Sequence, residues 1–434
     1  MTEVLLMQPP LPDGLLPYRK GLVLCPPIGL CYVASTLLSH GFGVDVVDLA
    51  ISEPQPEKVE LEIRRAKPKI LGITVSTCMY EKALQIARKA KQIDPGITTV
   101  LGGPHVTFTA QEALAHAEID LVVRNEGEIA MLELCKLYLR GEGRLDSIKG
   151  IAYRNEDRVV NNPSRPLMLD LDKLPFPARH LLPLNLYRIP GTLITGRGCP
   201  SQCVFCAAGA MSGGTYRTRS PSNVLAEIDE MKRQFNPPFY FIADDTFTVF
   251  HDRTREICAG LKKMGVRWLC ESRANFVNRD LLRAMAESGC FGIQFGVESG
   301  SQVILNSIRK GITVDQVRNA AKWSRELGLL TVCSFMVPHP EDTLETIAET
   351  KRVMLELKSQ GVIVYVSPTT PFPGTYLWDH AAELGIRIVS DDLEDYDLAT
   401  PIMETRHLRI DQVSSIFEDL VSICSEMPEW QPLV

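Results

Sequence analysis

Apolar residues along the first 145 positions follow two alternating rhythms. Short runs rich in β-branched residues at 4–8, 44–49, 70–75, 98–102 and 121–125 predict strands, and the stretches 29–40, 56–66, 80–93, 110–116 and 129–140 carry helical spacing. Strands alternating with helices of this length predict an α/β fold with a parallel sheet covered on both faces. The nearly unbroken apolar run at 70–75 fits a strand buried on both sides. In such doubly wound (Rossmann- or flavodoxin-like) folds, ligands bind beyond the carboxyl ends of the strands, where strand order reverses. The rhythm breaks between 146 and 190. A hairpin is predicted there, 148–153 against 159–160 around a polar turn at Asn155, Glu156 and Asp157. Pro163, Pro166, Pro175, Pro177 and Pro183 follow in a segment that reads as an extended connector. From 191 to 385 six strand-and-helix units return, with strands near 193–195, 240–243, 267–271, 291–296, 331–337 and 362–366. Their helices are expected near 222–234, 253–264, 279–288, 314–327 and 344–359. Residues 386–434 hold an acidic run, 391–395, and one helical stretch, 411–427. The expected organisation is therefore 1–145, a linker 146–190, a second domain 191–385 and a C-terminal extension 386–434.

Composition narrows the class. A chain of 434 residues, 45% hydrophobic and 23% charged, matches ordinary soluble domains with real cores. A net charge of −7 argues against a phosphate-binding surface, so nucleic acid is not the expected partner. There is no signal peptide and no apolar run of the ~18 residues a bilayer span requires. Of twelve cysteines, nine (Cys25, Cys31, Cys78, Cys135, Cys258, Cys270, Cys290, Cys333 and Cys424) are scattered through apolar segments. Without a signal peptide they read as reduced core residues of a cytoplasmic protein.

The other three cysteines carry chemistry. Gly196-Arg197-Gly198-Cys199-Pro200-Ser201-Gln202-Cys203-Val204-Phe205-Cys206 sets three thiols in a Cys-x₃-Cys-x₂-Cys spacing, with Phe205 just before the last. Thiolates bind soft iron, and an iron–sulfur cluster needs several converging from a short Gly- and Pro-flanked loop. Zinc sites usually show a second Cys or His pair, and none follows nearby. The spacing resembles the signature of the radical S-adenosylmethionine (SAM) enzymes, which implies a [4Fe–4S] cluster on Cys199, Cys203 and Cys206 whose open iron chelates SAM. Such a cluster suits an anaerobic setting. The tail offers only Cys424, so no auxiliary cluster is expected.

The first domain resembles the cobalamin-binding domain that precedes many radical SAM domains. The resemblance is carried by the strand ends: Ser76, Thr77, Cys78, Met79 and Tyr80; Gly102, Gly103, Pro104 and His105; and Asn125, Glu126, Gly127 and Glu128. Paired glycines let a flat ligand approach the backbone. By that resemblance Ser76, Thr77, Met79, Gly102, Gly103, Pro104, His105, Glu126 and Gly127 are candidate cobalamin contacts. The Asp-x-His-x-x-Gly motif that ligates cobalt in other cobalamin domains is missing after the first strand, so the lower face near Ser76, Thr77 and Met79 would lack a histidine ligand. His105 is a candidate ligand, although its turn reads better as a backbone-shaping loop.

The resemblance further implies a partial (β/α)₆ barrel with its chemistry at the carboxyl ends of the strands. Asp244 and Asp245 stand where the family holds the SAM amino group; Arg273 is a candidate partner for the SAM carboxylate and Glu298 for the ribose hydroxyls. Taken together, the chain resembles the cobalamin-dependent radical SAM enzymes, and C-methylation of an unactivated carbon, with the methyl group passed from SAM through cobalamin, is the implied activity. A non-methylating cobalamin-dependent reaction, such as ring contraction, cyclisation or oxidation, shares every motif. A methylthiotransferase acting on transfer RNA does not fit, because the cysteine-rich first domain and basic tail are missing. The expected partners are an external low-potential donor such as ferredoxin or flavodoxin and an unidentified substrate, with a lean toward a peptide or protein side chain such as glutamine. A monomer is expected.

Overall fold

The computed structural model describes residues 2–13, 15, 25–51, 56–156 and 158–424, which form two compact units. In the first, side chains alternate across a parallel sheet. Val4 and Leu6 of β1 (Val4–Gln8) enter the core on one face, and Leu5 and Met7 enter the core on the other. Beside it run β2 (Val44–Asp48), β3 (Ile70–Thr74), β4 (Thr98–Gly102) and β5 (Leu121–Val123), in the order β2-β1-β3-β4-β5 and all parallel. Helices Ile28–Ser39 and Gly127–Arg140 cover one face, and Pro56–Ala66 and Tyr80–Ile93 cover the other. This is the doubly wound architecture expected. Its flavodoxin-like order reverses between β1 and β3, which sets the binding crevice beyond those strand ends.

The segment read as a linker is not one. Strands β6 (Ile151–Asn155) and β7 (Arg158–Asn161) pair antiparallel and extend the same sheet beyond β5. Asp157, in the expected turn, lies outside the described residues. Residues 173–190 also pack into the first unit: Leu182 and Tyr187 join its core, and Tyr187 donates a 2.9 Å hydrogen bond to buried Asp48. Proline removes backbone donors and fixes φ, but it does not prevent packing when Leu and Tyr side chains are interleaved. A second departure concerns the tail. Residues 392–397 belong with the first unit, where Leu393 packs into its core and Glu394 stands 3.7 Å from Lys82.

The second unit holds β8 (Thr192–Leu193), a small antiparallel pair β9 (Gly196–Arg197) and β10 (Arg217–Thr218), then β11 (Tyr240–Ile242), β12 (Trp268–Ser272), β13 (Cys290–Glu298), β14 (Leu330–Val337) and β15 (Ile363–Pro368). Six of these form one parallel sheet in the order β15-β14-β13-β12-β11-β8, the open, partial barrel that the family resemblance implied. Helices Pro221–Gln234, His251–Met264, Arg279–Glu287, Val314–Glu326 and Leu344–Ser359 intervene. Several starts are fixed locally: Ser220 caps the first with Pro221 behind it, and Thr313 and Thr343 make capping boxes. A short antiparallel pair, β16 (Arg387–Ile388) with β17 (Met403–Glu404), and helix Ile410–Ile423 complete the unit. Of the helix expected over 411–427, residues 425–427 lie outside the described residues. Among the described residues no helix is long and apolar enough to cross a membrane.

Candidate active site

The strand ends of the second unit surround a cavity of ≈ 220 Å³. Cys199, Cys203 and Cys206 line it together with Phe205, Asp245, Arg273 and Glu298. Seven residues singled out from sequence thus meet in one place. The cysteine loop is braced from behind. Gly198 has φ +87°, and a Cβ there would lie 2.3 Å from the Thr215 carbonyl. A Cβ at Gly196 would lie 2.7 Å from the Tyr216 ring. Only glycine lets this loop lie flat on the 212–216 segment.

The thiols sit among donors. The Arg273 guanidinium donates to Cys203 Sγ at 3.3 Å. Burial pushes the Cys206 thiol up, and the N–H groups of Gly209 and Ala208 pull it back. Groups that stabilise thiolates, ranged around a cavity, suit an iron–sulfur cluster. Among the described residues no three His, Cys, Asp or Glu side chains converge to hold a single metal ion. A cubane cluster asks for a different geometry, in which each thiolate meets its own iron.

The two aspartates separate. Asp245 lines the cavity, its carboxyl raised by burial and by Asp244, with the Gly198 N–H acting against the rise. Asp244, expected beside the SAM amino group, is instead 1% exposed and does not line the cavity. Its oxygens accept from Thr195 N at 2.5 Å, Thr195 Oγ1 at 2.6 Å and Tyr216 Oη at 3.1 Å. Those bonds tie β11 to the root of the cysteine loop, so Asp244 is an anchor. Arg273 differs in lining the cavity while it donates to the Lys310 carbonyl and to Cys203.

Several lining residues carried no role in the sequence. Glu271 on β12 has its carboxyl raised to about 7, by burial first and Asp245 second. Gln294 donates to Tyr365 Oη at 2.8 Å, and Ser201, Ser334 and Lys310 complete the polar wall. Lys310 is an ion-pair partner, its Nζ 2.6 Å from Glu298 Oε1. Only position near a strand end could have singled out Glu271; Gln294 lies mid-strand in β13 and Lys310 in a loop, with no such mark.

In the first unit the candidate cobalamin contacts gather beyond β3, β4 and β5. Ser76, Met79, Gly102, Gly103 and Glu126 are half-buried, and Pro104 is exposed. Gly103 has φ +104°, and a Cβ there would press within 2.8 Å of the Val75 backbone. The Gly-Gly-Pro-His turn, expected as a loop, begins the short helix Pro104–Phe108, with Pro104 in its first turn. Gly127 opens helix Gly127–Arg140 behind Asn125, which has φ 62°. His105 is 3% exposed, its Nδ1 3.3 Å from Thr77 Oγ1 and its ring 4.7 Å from the Tyr80 ring. Burial lowers its pKa to about 4, which keeps the imidazole neutral. The histidine thus lies beneath the shelf rather than on it. A shelf of glycines, hydroxyls and Met79 suits the face of a flat macrocycle.

Comparison with known proteins agrees with this division. Residues 20–135 match the B12 binding domain model, and residues 193–354 match the radical SAM superfamily model. An uncharacterized methyltransferase of Pyrococcus horikoshii is 33% identical over 398 residues, 90% of this chain and 86% of that protein. The anaerobic magnesium-protoporphyrin IX monomethyl ester cyclase of Rubrivivax gelatinosus is 32% identical over 396 residues, 87% of this chain and 70% of that one. Among solved structures, the radical SAM methyltransferase TsrM of Kitasatospora setae, with cobalamin and a [4Fe–4S] cluster bound, superposes with a TM-score of 0.79 at 16% identity. That match covers 98% of this chain and 90% of TsrM.

Proposed function

This chain belongs to the cobalamin-dependent radical SAM enzymes, and we propose that it moves a methyl group from SAM, by way of cobalamin, to an unactivated carbon of its substrate. The observation that carries the reading is the cavity in which three cysteines meet Asp245, Arg273 and Glu298. When bound, the cluster and SAM supply a hydrogen-abstracting radical and cobalamin carries the methyl group. The protein's part is to bind, orient and exclude water. Cys199, Cys203 and Cys206 hold the cluster; Asp245 accepts from the SAM ammonium; Arg273 supports the thiolates and faces the SAM carboxylate; Glu298 accepts from the ribose. Ser76, Thr77, Met79, Gly102, Gly103, Pro104, Glu126 and Gly127 form the cobalamin shelf. His105, buried against Thr77 and Tyr80, would support that shelf by fixing Thr77 rather than by ligating cobalt.

Methyl transfer is preferred over cyclisation because the match runs over 86% of the P. horikoshii relative, which carries a methyltransferase name, and over only 70% of the cyclase. For the substrate, the cavity wall of Glu271, Gln294, Ser201 and Ser334 supports a polar group, such as a peptide or protein amide, over a lipid. Electrons are proposed to come from a low-potential ferredoxin or flavodoxin.

The test is anaerobic incubation of cluster-reconstituted protein with cobalamin, a low-potential reductant and SAM bearing a deuterated methyl group. Label on cobalamin together with S-adenosylhomocysteine is the expected result, read by mass spectrometry. Methionine and 5′-deoxyadenosine with no label on cobalamin would point to the cyclase-like reaction. Failure to bind cobalamin would overturn the reading of the first unit.

A further inference from the structure

Glu298 is held in an unusual way. It ends β13 with φ 71°, a left-handed backbone conformation that non-glycine residues seldom adopt. The pairing of β13 with β14 slips one position between Gly296 and Glu298, a bulge that re-aims the side chain. Gly296 makes room for the result: a Cβ there would lie 2.5 Å from Glu298 Oε1 and 3.0 Å from Lys310 Nζ. Lys310 donates to Oε1 at 2.6 Å, with the two side chains 6% and 8% exposed. The ammonium also stands 5.8 Å from the centre of the Phe205 ring, within cation–π range. No other hydrogen bond reaches the Glu298 carboxylate among the described residues, and both Glu298 and Lys310 line the cavity.

Buried ion pairs contribute little to stability, because desolvation offsets their attraction. A strained residue persists where its surroundings over-determine it, and such places cluster at ligand clamps. Here a glycine, a bulge, a left-handed glutamate and a buried lysine agree on one geometry, which leaves one carboxylate oxygen unclaimed toward the cavity.

We propose that Lys310 is a positioning residue for SAM: it grips Oε1 of Glu298 so that Oε2 is presented to the ribose hydroxyls. This rests on the cavity being the SAM site. Lys310 also keeps Glu298 from turning to the solvent side of the bulge, and its cation over Phe205 ties the ribose contact to the cysteine loop.

The probes are S-adenosylhomocysteine and its 2′-deoxy and 3′-deoxy analogues, with binding to cluster-reconstituted protein measured by anaerobic calorimetry. The unaltered protein should prefer the full ribose to at least one analogue by about tenfold or more, the scale of one hydrogen bond to a charged acceptor. Lys310→Met should collapse that preference toward unity with iron content unchanged. Lys310→Arg should restore much of it, and Glu298→Gln combined with Lys310→Met should lose no more than either alone. Because Lys310→Met strands a buried carboxylate, Lys310→Gln serves as the second variant and should lose the preference too. A wild-type preference retained in these variants, even with weaker overall binding, overturns the proposal. So does an unaltered protein that binds S-adenosylhomocysteine without regard to the ribose hydroxyls, a result that leaves the SAM site standing. Failure to bind SAM or S-adenosylhomocysteine at all overturns the cavity reading itself.

Discussion

Adjacent carboxylates in this chain do different work because burial and partners differ, and this makes them separable by experiment. Asp244 is consumed by Thr195 and Tyr216, whereas Asp245 faces the cavity. Asp244→Ala leaves buried donors unpaired, a loss of about 2–4 kcal/mol, and should lower both the melting temperature and the iron content of reconstituted protein. Asp245→Asn should leave both near normal and weaken SAM binding, read by equilibrium dialysis. Asp48 behaves differently again. Burial raises its carboxyl to about 6, despite hydrogen bonds from Tyr187 and the Ala50 N–H. An unfolded chain gives up that proton near pH 4, so between about pH 4 and 6 the folded state holds the extra proton. The stability this group contributes is complete below pH 4 and lost as pH rises through 6, up to about 3 kcal/mol for a two-unit difference. Asp48→Asn removes the titrating group, so chemical denaturation across pH 4–7 should show a flatter profile than for the unaltered protein.

Elements explain how much of the site could be read from the chain. Strands and helices with strong periodicity came through: β1, β4 and the helices Pro56–Ala66, Tyr80–Ile93 and Leu344–Ser359 lie where apolar spacing put them. The cysteine loop was legible because thiol spacing is itself chemistry. What stayed hidden depended on contacts far along the chain. Asp244 and Asp245 are neighbours in sequence, and only the packing of Thr195 and Tyr216 tells them apart. Lys310, in Arg309-Lys310-Gly311, looks like a solvated loop lysine until β13 brings Glu298 beside it. The proline-rich connector hid its packing because proline content reports backbone restriction and not burial. Glycine spacing, by contrast, carried more than it first showed. Gly198→Ala would place a Cβ 2.3 Å from the Thr215 carbonyl at a φ of +87°. The loop must move or strain by at least about 2 kcal/mol, so the variant should bind less iron per chain, measured by iron assay and cluster absorbance, while far-ultraviolet circular dichroism stays close to normal.

At the scale of the whole molecule, the chain revisits its first unit briefly before it completes its second. Residues 392–397 follow the last barrel strand, yet they fold with the cobalamin-binding unit. Leu393 joins the core under β1 and β3, Tyr396 is 3% exposed, and Glu394 approaches Lys82, which also pairs with Asp13 at 2.9 Å. The exposed ion pairs are worth little in themselves; the apolar anchor is the stronger term. The sequence showed this run only as an acidic stretch of the C-terminal extension, and the leucine and tyrosine within it decide where it packs. The loop it packs against is the Thr77–Met79 turn. The returning segment therefore steadies one wall of the proposed cobalamin shelf. Leu393→Asp buries a charge at a half-buried apolar position and should destabilise this unit by about 1–3 kcal/mol. Hydrogen exchange should quicken across 77–93 while 268–298 in the barrel stays protected. Cobalamin should be lost more readily on gel filtration, although no proposed contact has been altered. Equal deprotection of both regions would mean that the segment supports the whole chain rather than the unit it packs in.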